Sequence, residues 1–579
     1  MTQTTDNCIL VAAIDFGTSY SGYAFSTRND FEKDPLQIQV NPPWAAGTRQ
    51  LLSLKTPTCL LLDADKNYVA FGYDAEDKYS ELALLKDHKS YYYFQRFKMS
   101  LYQTQNLNKD LVVEDMTGKQ FSAFDVCCLS IKALKDHLLE SISKQFINMN
   151  IDDIRWVLTV PAIWTDSAKQ FMRRSAEKAG IPSDKLQISL EPEAASIYCQ
   201  HLPIENLKGA GKRLSATVAG TRCIIADLGG GTLDITVHEK MNDGRLKEIC
   251  RASGNNCGGT CVDVQFYKMM ETIIGPETFK AFKQDNLDSY IDLSREFEIK
   301  KRNFQPDNTG YVTLLIPLTV LDLVCNKHLN LNFKKALDDS EYGSVTTILN
   351  DKLRIEVETF RAIFEPTIIG IVGLIAEIMK RSNADSDTQI LLVGGFSGCN
   401  LVQRAIKATF PAHNIIVPYD SDVSVLKGAV IFGHQPNIIS ERISKYTYGF
   451  SKRKIFDQQK HDSSHLEIVD GKERCSRVFE PIIKRDEIVP VGKKITSTAK
   501  CKPDDDGLFT LCIYQTESEN PIYTDEDGCS LLGTIHAQLP SPSPSDKIKV
   551  ELIFGGTEIS VKIRDTASRK KCEETIQMI

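Results

Sequence analysis

An α/β protein followed by a small antiparallel β domain is the fold class this sequence predicts, and three observations predict it. From the start to about residue 434, short β-branched strands alternate with stretches of helical periodicity, the pattern of α/β architecture. Two apolar strands run into acidic, glycine-rich turns, "AAIDFGTSYSGYAFS" at 12–26 and "IIADLGGGTLDITV" at 224–237. Beyond Gly433 the texture changes to short segments in which every second residue is apolar. At 579 residues the chain exceeds what one core supports, so several domains are expected.

Taken in order, "RWVLTVPAIW" (155–164) reads as a buried strand entering a turn at Pro161. "TDSAKQFMRRSAEKAGI" then has helical spacing, with Thr165 or Asp166 as N-cap and Gly180 at the C-terminal end. The Gly-, Ala- and Lys-rich stretch 203–222 reads as a surface insertion before the strand "CIIADL". "TIIGIVGLIAEIM" (367–379) is interrupted by Glu377 and too short to span a bilayer, so a buried helix is expected. A third strand–glycine turn–helix unit follows at "ILLVGGFSGCNLVQRAI" (390–406). "HQPNIISERISKY" marks a boundary, giving a first domain over 1–434, a linker over 435–445 and a β-rich domain over 446–568. Within the latter, "LFTLCIY" alternates, and "KIKVELIF" and "EISVKI" flank Gly555-Gly556 as a hairpin. "LPSPSPSD" (539–546) reads as a turn or loop, and the tail 569–579 as at most a turn or two of helix.

Composition excludes several classes of function. Hydrophobic residues make up 42% and charged residues 25% of the chain, as in ordinary globular proteins. A net charge of −7 with scattered Lys and Arg gives no support to a nucleic-acid surface, and short clusters such as Lys452-Arg453-Lys454 read as solvated loop charge. The N-terminus "MTQTTDNC" lacks the basic lead of a secretory signal, so a cytoplasmic location with reduced thiols is expected. The sixteen cysteines form no paired CxxC module. Neither Cys127-Cys128 nor Cys257 and Cys261, which share a glycine-rich loop, has metal-site spacing. His461 and His465 stand four apart in a polar stretch and read as a chance pairing.

The two acidic turns carry the chemistry. Glycines let backbone N–H groups approach phosphate oxygens, and neighbouring hydroxyls add donors. A carboxylate at the strand end suits the hydrated shell of Mg²⁺. The first turn supplies Asp15, Gly17, Thr18, Ser19 and Tyr20; the second supplies Asp227, Gly229, Gly230, Gly231, Thr232 and Asp234. A single such turn is compatible with a plain hairpin whose aspartate caps it. Two, each behind an apolar strand, read as a clamp on a polyphosphate from both sides. Neither has the Walker A pattern, and no GxGxxG opens a helix here, which disfavours a dinucleotide site. Gly394, Gly395 and Phe396 form a third turn suited to contact a nucleoside, with core packing the simplest role for Phe396.

These three turns in this order resemble the actin/hexokinase/70-kDa heat-shock ATPase superfamily, and more specifically the 70-kDa heat-shock family. "AIDFGTSYSG" resembles that family's first phosphate loop and "ADLGGGTLDITV" its second. "LTVPAIWTDSAKQFMRRSAEKAGI…LQISLEPEAAS" resembles the intervening segment, and "SDVSVLKGAVIFG" the segment closing the ATPase domain. The match covers about residues 8–434, and with the insertion near 203–222 it is similar to the family's divergent 12A/12B branch. From 440 onward "IIKRDEIVPVGKKITSTA" and "GCSLLGTIHAQLP" resemble the family's peptide-binding β-sandwich.

The resemblance implies two actin-like lobes, each a ribonuclease H-like duplicate, and slow hydrolysis of ATP with Mg²⁺. It implies protein or peptide partners at the C-terminal β domain. Asp15 and Asp227 would orient the hydrated metal, and Glu191 and Asp234 would position or polarise water. Lys98, with Arg96 as its rival, would supply a cation near the γ-phosphate. "EFEIKKR" places Glu298, Lys301 and Arg302 on the adenosine, and Gly258 and Gly259 join the nucleotide-binding set. Read without the family, Glu191 is a helix-start carboxylate favoured by the macrodipole, and Glu298, Lys301 and Arg302 are a solvated helical face.

The chain also departs from the family's pattern. The acidic-leucine interdomain linker is not recognisable in "HQPNIISERISKY", and Lys169 stands where chaperone members carry an arginine. Glu193 replaces a threonine, and neither a helical lid nor a charged tail is expected from the residues after the β-rich segments. A nucleotide-gated scaffold with little hydrolysis is therefore an alternative to a slow ATPase coupled to client binding. A small-molecule kinase of the superfamily is a third reading, disfavoured because no residues mark a sugar site.

Overall fold

The unbroken apolar run of the strand Leu10–Phe16 is explained by what covers its two faces. Leu10, Ala12, Ile14 and Phe16 point into one core, while Val11 and Ala13 point into another. Alternation therefore exists in direction but not in polarity, as expected for a strand buried on both sides. The strand Arg222–Leu228 repeats this: Ile224, Ala226 and Leu228 enter a third core, and Ile225 enters the one shared with Val11 and Ala13. The computed structural model describes residues 8–45, 52–104, 110–146, 149–209, 218–500, 508–538, 547–565 and 571–575.

One strand layout occurs twice. In the first sheet Leu10–Phe16 pairs antiparallel with Tyr20–Thr27 and parallel with Ile154–Val160, beyond which lies Leu186–Leu190, also parallel. In the second, Arg222–Leu228 pairs antiparallel with Leu233–Lys240 and parallel with Gln389–Val393, beyond which lies Ile415–Pro418. Parallel neighbours need long crossovers, and here these carry the helices. Between the two sheets lie the helices Glu191–His201 and Ser424–His434. They cross so closely that a Cβ on Gly428 would sit 1.7 Å from the Ala194 carbonyl oxygen, so only glycine fits there.

Thr165 is the N-cap of the helix Asp166–Lys178, its Oγ1 accepting the Ala168 N–H at 3.2 Å, and Gly180 follows in the left-handed region at φ +88°. The helix expected to be buried, Glu365–Arg381, is buried along one face. Thr367, Ile371, Ile375 and Ile378 face the core and Ile369 is 70% exposed, because i, i+4, i+7 spacing presents only one stripe. No helix among the described residues is long and apolar enough to cross a membrane. The cysteines from Cys8 to Cys475, together with Cys512 and Cys529, are free thiols. Residues 210–217 of the expected insertion and the loop 539–546 lie outside the described residues.

The segment expected as a linker, 435–445, is built into the second sheet. Its strand Ile439–Ile443 pairs parallel with Leu246–Asn255 and antiparallel with Ile488–Pro490. Beyond it, a five-stranded and a four-stranded antiparallel sheet share one apolar cluster, to which Phe450, Ile513, Leu532, Leu552 and Val561 contribute. Lys547–Phe554 and Ser560–Asp565 form the expected hairpin, with Gly555 at φ +83°. The tail forms a strand, Lys571–Thr575, where helical turns were expected. It pairs with Ser560–Asp565, whose second edge would otherwise present unpaired backbone groups.

Candidate functional site

Each acidic turn is a tight hairpin held in place by its glycines. In the first, Asp15 pairs in register with Gly22, and a Cβ on Gly17 would lie 2.2 Å from the Tyr20 carbonyl oxygen. Thr58 braces this turn by donating its hydroxyl to the Gly17 carbonyl at 2.8 Å. In the second, Asp227 stands opposite Asp234, and the Gly229 N–H reaches the Thr232 carbonyl at 2.9 Å. The two turns face each other at contact distance. A Cβ on Gly230 would meet Ser19 Oγ at 2.3 Å, and one on Gly231 would meet Thr18 Cγ2 at 2.8 Å.

Between and behind them opens a cavity of about 530 Å³. Its wall includes Asp15, Gly17, Thr18, Ser19, Tyr20, Lys98, Glu191, Asp227, Gly229, Gly230, Gly231, Thr232 and Gly259. Glu298, Lys301, Arg302, Gly394, Gly395 and Phe396 complete the set of expected residues found there. Two expected residues stand behind the wall. Gly258 supports the second turn, where a Cβ would lie 2.5 Å from the Gly230 carbonyl oxygen, and Asp234 is buried with Oδ1 accepting the Ile163 N–H at 3.1 Å. Gly394, at φ +82°, brings the third turn against the second: its Cβ would lie 2.2 Å from Asp227 Oδ1. Phe396 belongs to the core and also lines the cavity, its ring packed on Gly259.

Glu191 opens its helix, but its carboxylate does not cap it. The N-cap is Leu190, and Glu191 Oε1 instead accepts a hydrogen bond from Lys98 Nζ at 2.9 Å. Lys98 is 1% exposed and lies 5.0 Å from the Trp164 ring centroid, whereas Arg96 is drawn away to Asp263 at 2.7 Å. The cation beside Glu191 is thus Lys98. Burial raises the Glu191 carboxyl to about 7; Lys98 opposes the shift, and the Asp15 and Asp234 carboxylates reinforce it. Asp227 is raised well above the carboxylate range by burial and by the charges of Glu191, Asp234 and Asp15.

At the far end of the cavity, Glu298 pairs with Lys301 at 2.5 Å and Arg302 at 2.6 Å on the helix Leu287–Asn303. Lys301 reaches on to Asp263 at 2.6 Å, and the Arg302 guanidinium stacks 4.9 Å from the Tyr20 ring centroid. Burial opposes ionisation of Glu298, yet the two cations hold it down to about 2. The pattern that reads as a solvated face is therefore a fixed, half-buried charge cluster at the cavity edge.

Several functional neighbours carry no motif. Lys55 Nζ donates to Asp15 Oδ2 at 2.6 Å, and the Thr159 hydroxyl donates to Asp15 Oδ1 at 2.7 Å. Thr159 lies in the quoted strand, one parallel neighbour from Asp15's strand, but nothing in the spacing singles it out. Among the described residues, no three Asp, Glu, His or Cys side chains are grouped to hold a metal ion. The donor set fits a cation held largely by phosphate and water, with Asp227 the carboxylate most in want of positive charge. His461 and His465 form no such site: His465 stacks 3.9 Å from the Tyr523 ring centroid and pairs with Asp525 at 3.1 Å.

The departures from the family pattern meet one another in space. Glu193, buried two residues beyond Glu191, forms a two-pronged pair with Arg442, with both contacts at 2.7 Å. Arg442 sits in the expected linker and also donates to the Gly555 carbonyl of the C-terminal hairpin. Nearby, Arg173 holds Glu558 at 2.6 Å, and the Tyr448 hydroxyl donates to Asp166 at 2.7 Å. Lys169, in place of the family's arginine, pairs with Asp166 at 3.2 Å.

Comparison with known proteins agrees with this geometry. The sequence model described as "Hsp70 protein" matches residues 87–307. Heat shock 70 kDa protein 12A of Homo sapiens is 31% identical over 99% of this chain and 92% of its own length. Heat shock 70 kDa protein 12B of Homo sapiens is 30% identical over 98% of this chain and 91% of its own. More distantly, the Chaperone protein DnaK of Thermosipho melanesiensis is 24% identical over 75% of this chain and 62% of its own. With about 30% identity along nearly its whole length and the two facing glycine turns in place, the chain belongs to the 70-kDa heat-shock protein family.

Proposed function

We propose that this protein binds ATP and ADP in the cavity between the two acidic turns, hydrolyses ATP slowly with Mg²⁺, and couples nucleotide state to protein binding by its C-terminal β-sandwich. The observation that carries the reading is the face-to-face approach of the two turns, with Ser19 against Gly230 and Thr18 against Gly231. Their backbone N–H groups and hydroxyls grip a polyphosphate from both sides. Mg²⁺ bound with the nucleotide would neutralise phosphate charge and polarise the transferring group. Thr18, Ser19 and Thr232 hold phosphate oxygens, and Lys98 lies against the developing negative charge. Glu191 takes a proton from the attacking water. Asp234, behind the wall, keeps the turn and the Ile163 backbone in register.

Because the clamp depends on glycine at the point of closest approach, Gly230→Ala is expected to weaken ADP binding by about tenfold or more. Its Cβ would overlap Ser19 Oγ and press on Ser19 Cβ at 2.8 Å, forcing the turns apart. Isothermal titration with ADP measures this, and an affinity equal to the parent's would remove the clamp from the reading.

Hydrolysis is expected to rise with pH. Glu191 accepts a proton only when ionised, and its raised carboxyl holds the proton until about pH 7. Single-turnover rates should therefore fall by about tenfold per unit below that value and level off above it. A profile that is flat between pH 5.5 and pH 8.5 contradicts the role of Glu191.

What supports coupling to the β domain is Arg442, which touches both the helix bearing Glu191 and the C-terminal hairpin. A second route runs through Lys445, which donates to the carbonyl of Ile163, the residue whose N–H holds Asp234. Burial and Lys169 lower Lys445 to about 8.

A further inference from the structure

The closest cation to Asp15 comes from a segment that no motif marks. Lys55 precedes the short strand Thr56–Pro57, which pairs with Ser21 and Tyr20 at the start of the hairpin's second strand. That pairing aims the Lys55 side chain across Gly22, with Cγ 3.3 Å from where a Cβ would be. Gly22 is the register partner of Asp15, so the missing side chain opens the path by which the ammonium reaches Asp15 Oδ2. The seat is enclosed, with the two side chains 15% and 6% exposed. Thr159 occupies the other carboxylate oxygen, so both oxygens of Asp15 are already engaged.

The charge balance gives this contact a consequence. Asp15, Asp227 and Asp234 are buried, and Glu191 nearly so, around one end of the cavity, and polyphosphate would add further negative charge. A divalent ion ordinarily makes such an approach favourable. Here an ammonium on Asp15, also attracted by Asp227 and Asp422, lies in the cavity wall. A buried, charge-assisted contact of this kind is strong and weakly screened.

We infer that Lys55 is a resident cation of the phosphate site, standing at Asp15 in part of the role of the metal, so that nucleotide binds with little dependence on a divalent ion. The inference rests on the reading of the cavity as a nucleotide site, and the test separates the two. ADP affinity is measured by titration calorimetry on the full chain with Mg²⁺ and with EDTA. For the wild type, the ratio of the two affinities is expected to stay below about fivefold. Lys55→Gln should raise that ratio by about fivefold or more, whereas Lys55→Arg, which keeps the charge, should hold it near the wild-type value. A wild-type ratio of fivefold or more, or a ratio unmoved by Lys55→Gln, overturns the role of Lys55 while leaving the nucleotide site standing. No binding in either buffer overturns the nucleotide site and the inference with it. The wild-type arm needs no substitution, so a poorly folded variant does not remove the test.

Discussion

Replacing Glu191 with Gln is expected to slow single-turnover ATP hydrolysis by about 100- to 1,000-fold while changing ADP affinity by less than about threefold. The two side chains have the same shape, and the amide oxygen can still accept the hydrogen bond from Lys98 at 2.9 Å. What is lost is the basic oxygen that the proposed mechanism uses to take the proton of the attacking water, and that burial tunes to about 7. Loss of an interaction made only in the transition state lowers turnover and spares ground-state binding. Glutamine does not titrate, so the rise of rate with pH should also disappear. Rapid-quench measurements on the pre-formed ATP complex provide the check. A variant that hydrolyses at the parental rate would favour the alternative of a nucleotide-gated scaffold in which Glu191 and Lys98 form a structural pair.

The second large effect concerns the joint between the domains. Arg442→Ala is expected to reduce stability by about 3–5 kcal/mol, because it strands the Glu193 carboxylate in the interior. Glu193 is 1% exposed, and burial works against its charge. Arg442 is what holds it below the usual carboxylate range, aided by His238 and Lys169. The same substitution removes the donor to the Gly555 carbonyl, loosening the C-terminal hairpin from the helix that begins at Glu191. Replacing both partners with apolar side chains of similar size should recover most of the loss, since a buried pair contributes little net stability over a packed apolar pair. Denaturant titration of the single and paired variants measures the coupling. A shift below about 1 kcal/mol for Arg442→Ala would mean that solvent reaches Glu193 and that the joint is loose.

The chain-local features of the site were legible because their causes are local. A strand ending in Asp-x-Gly announces a tight turn, since only glycine tolerates a carbonyl 2.2 Å from its would-be Cβ, as at Gly17. The N-cap at Thr165 and the hairpin around Gly555 follow from the same kind of short-range rule. The helix Glu365–Arg381 was harder to read, because composition reports apolarity whereas burial depends on which stripe meets a neighbour. The tail strand Lys571–Thr575 was decided by the edge beside it rather than by its own residues.

By itself, then, the sequence determined the two acidic glycine turns, the alternation of strands and helices around them, the kinship with the 70-kDa heat-shock family and the candidacy of Glu191. Tertiary structure alone decided that Lys98 pairs with Glu191 itself, that Lys55 caps Asp15 from 40 positions away, and that Glu193 is answered by Arg442 from 249 positions away. The reason is physical. Turn geometry and periodicity are set by neighbours along the chain. The partner of a buried charge is set by which elements fold against each other, and no spacing in the sequence records that distance.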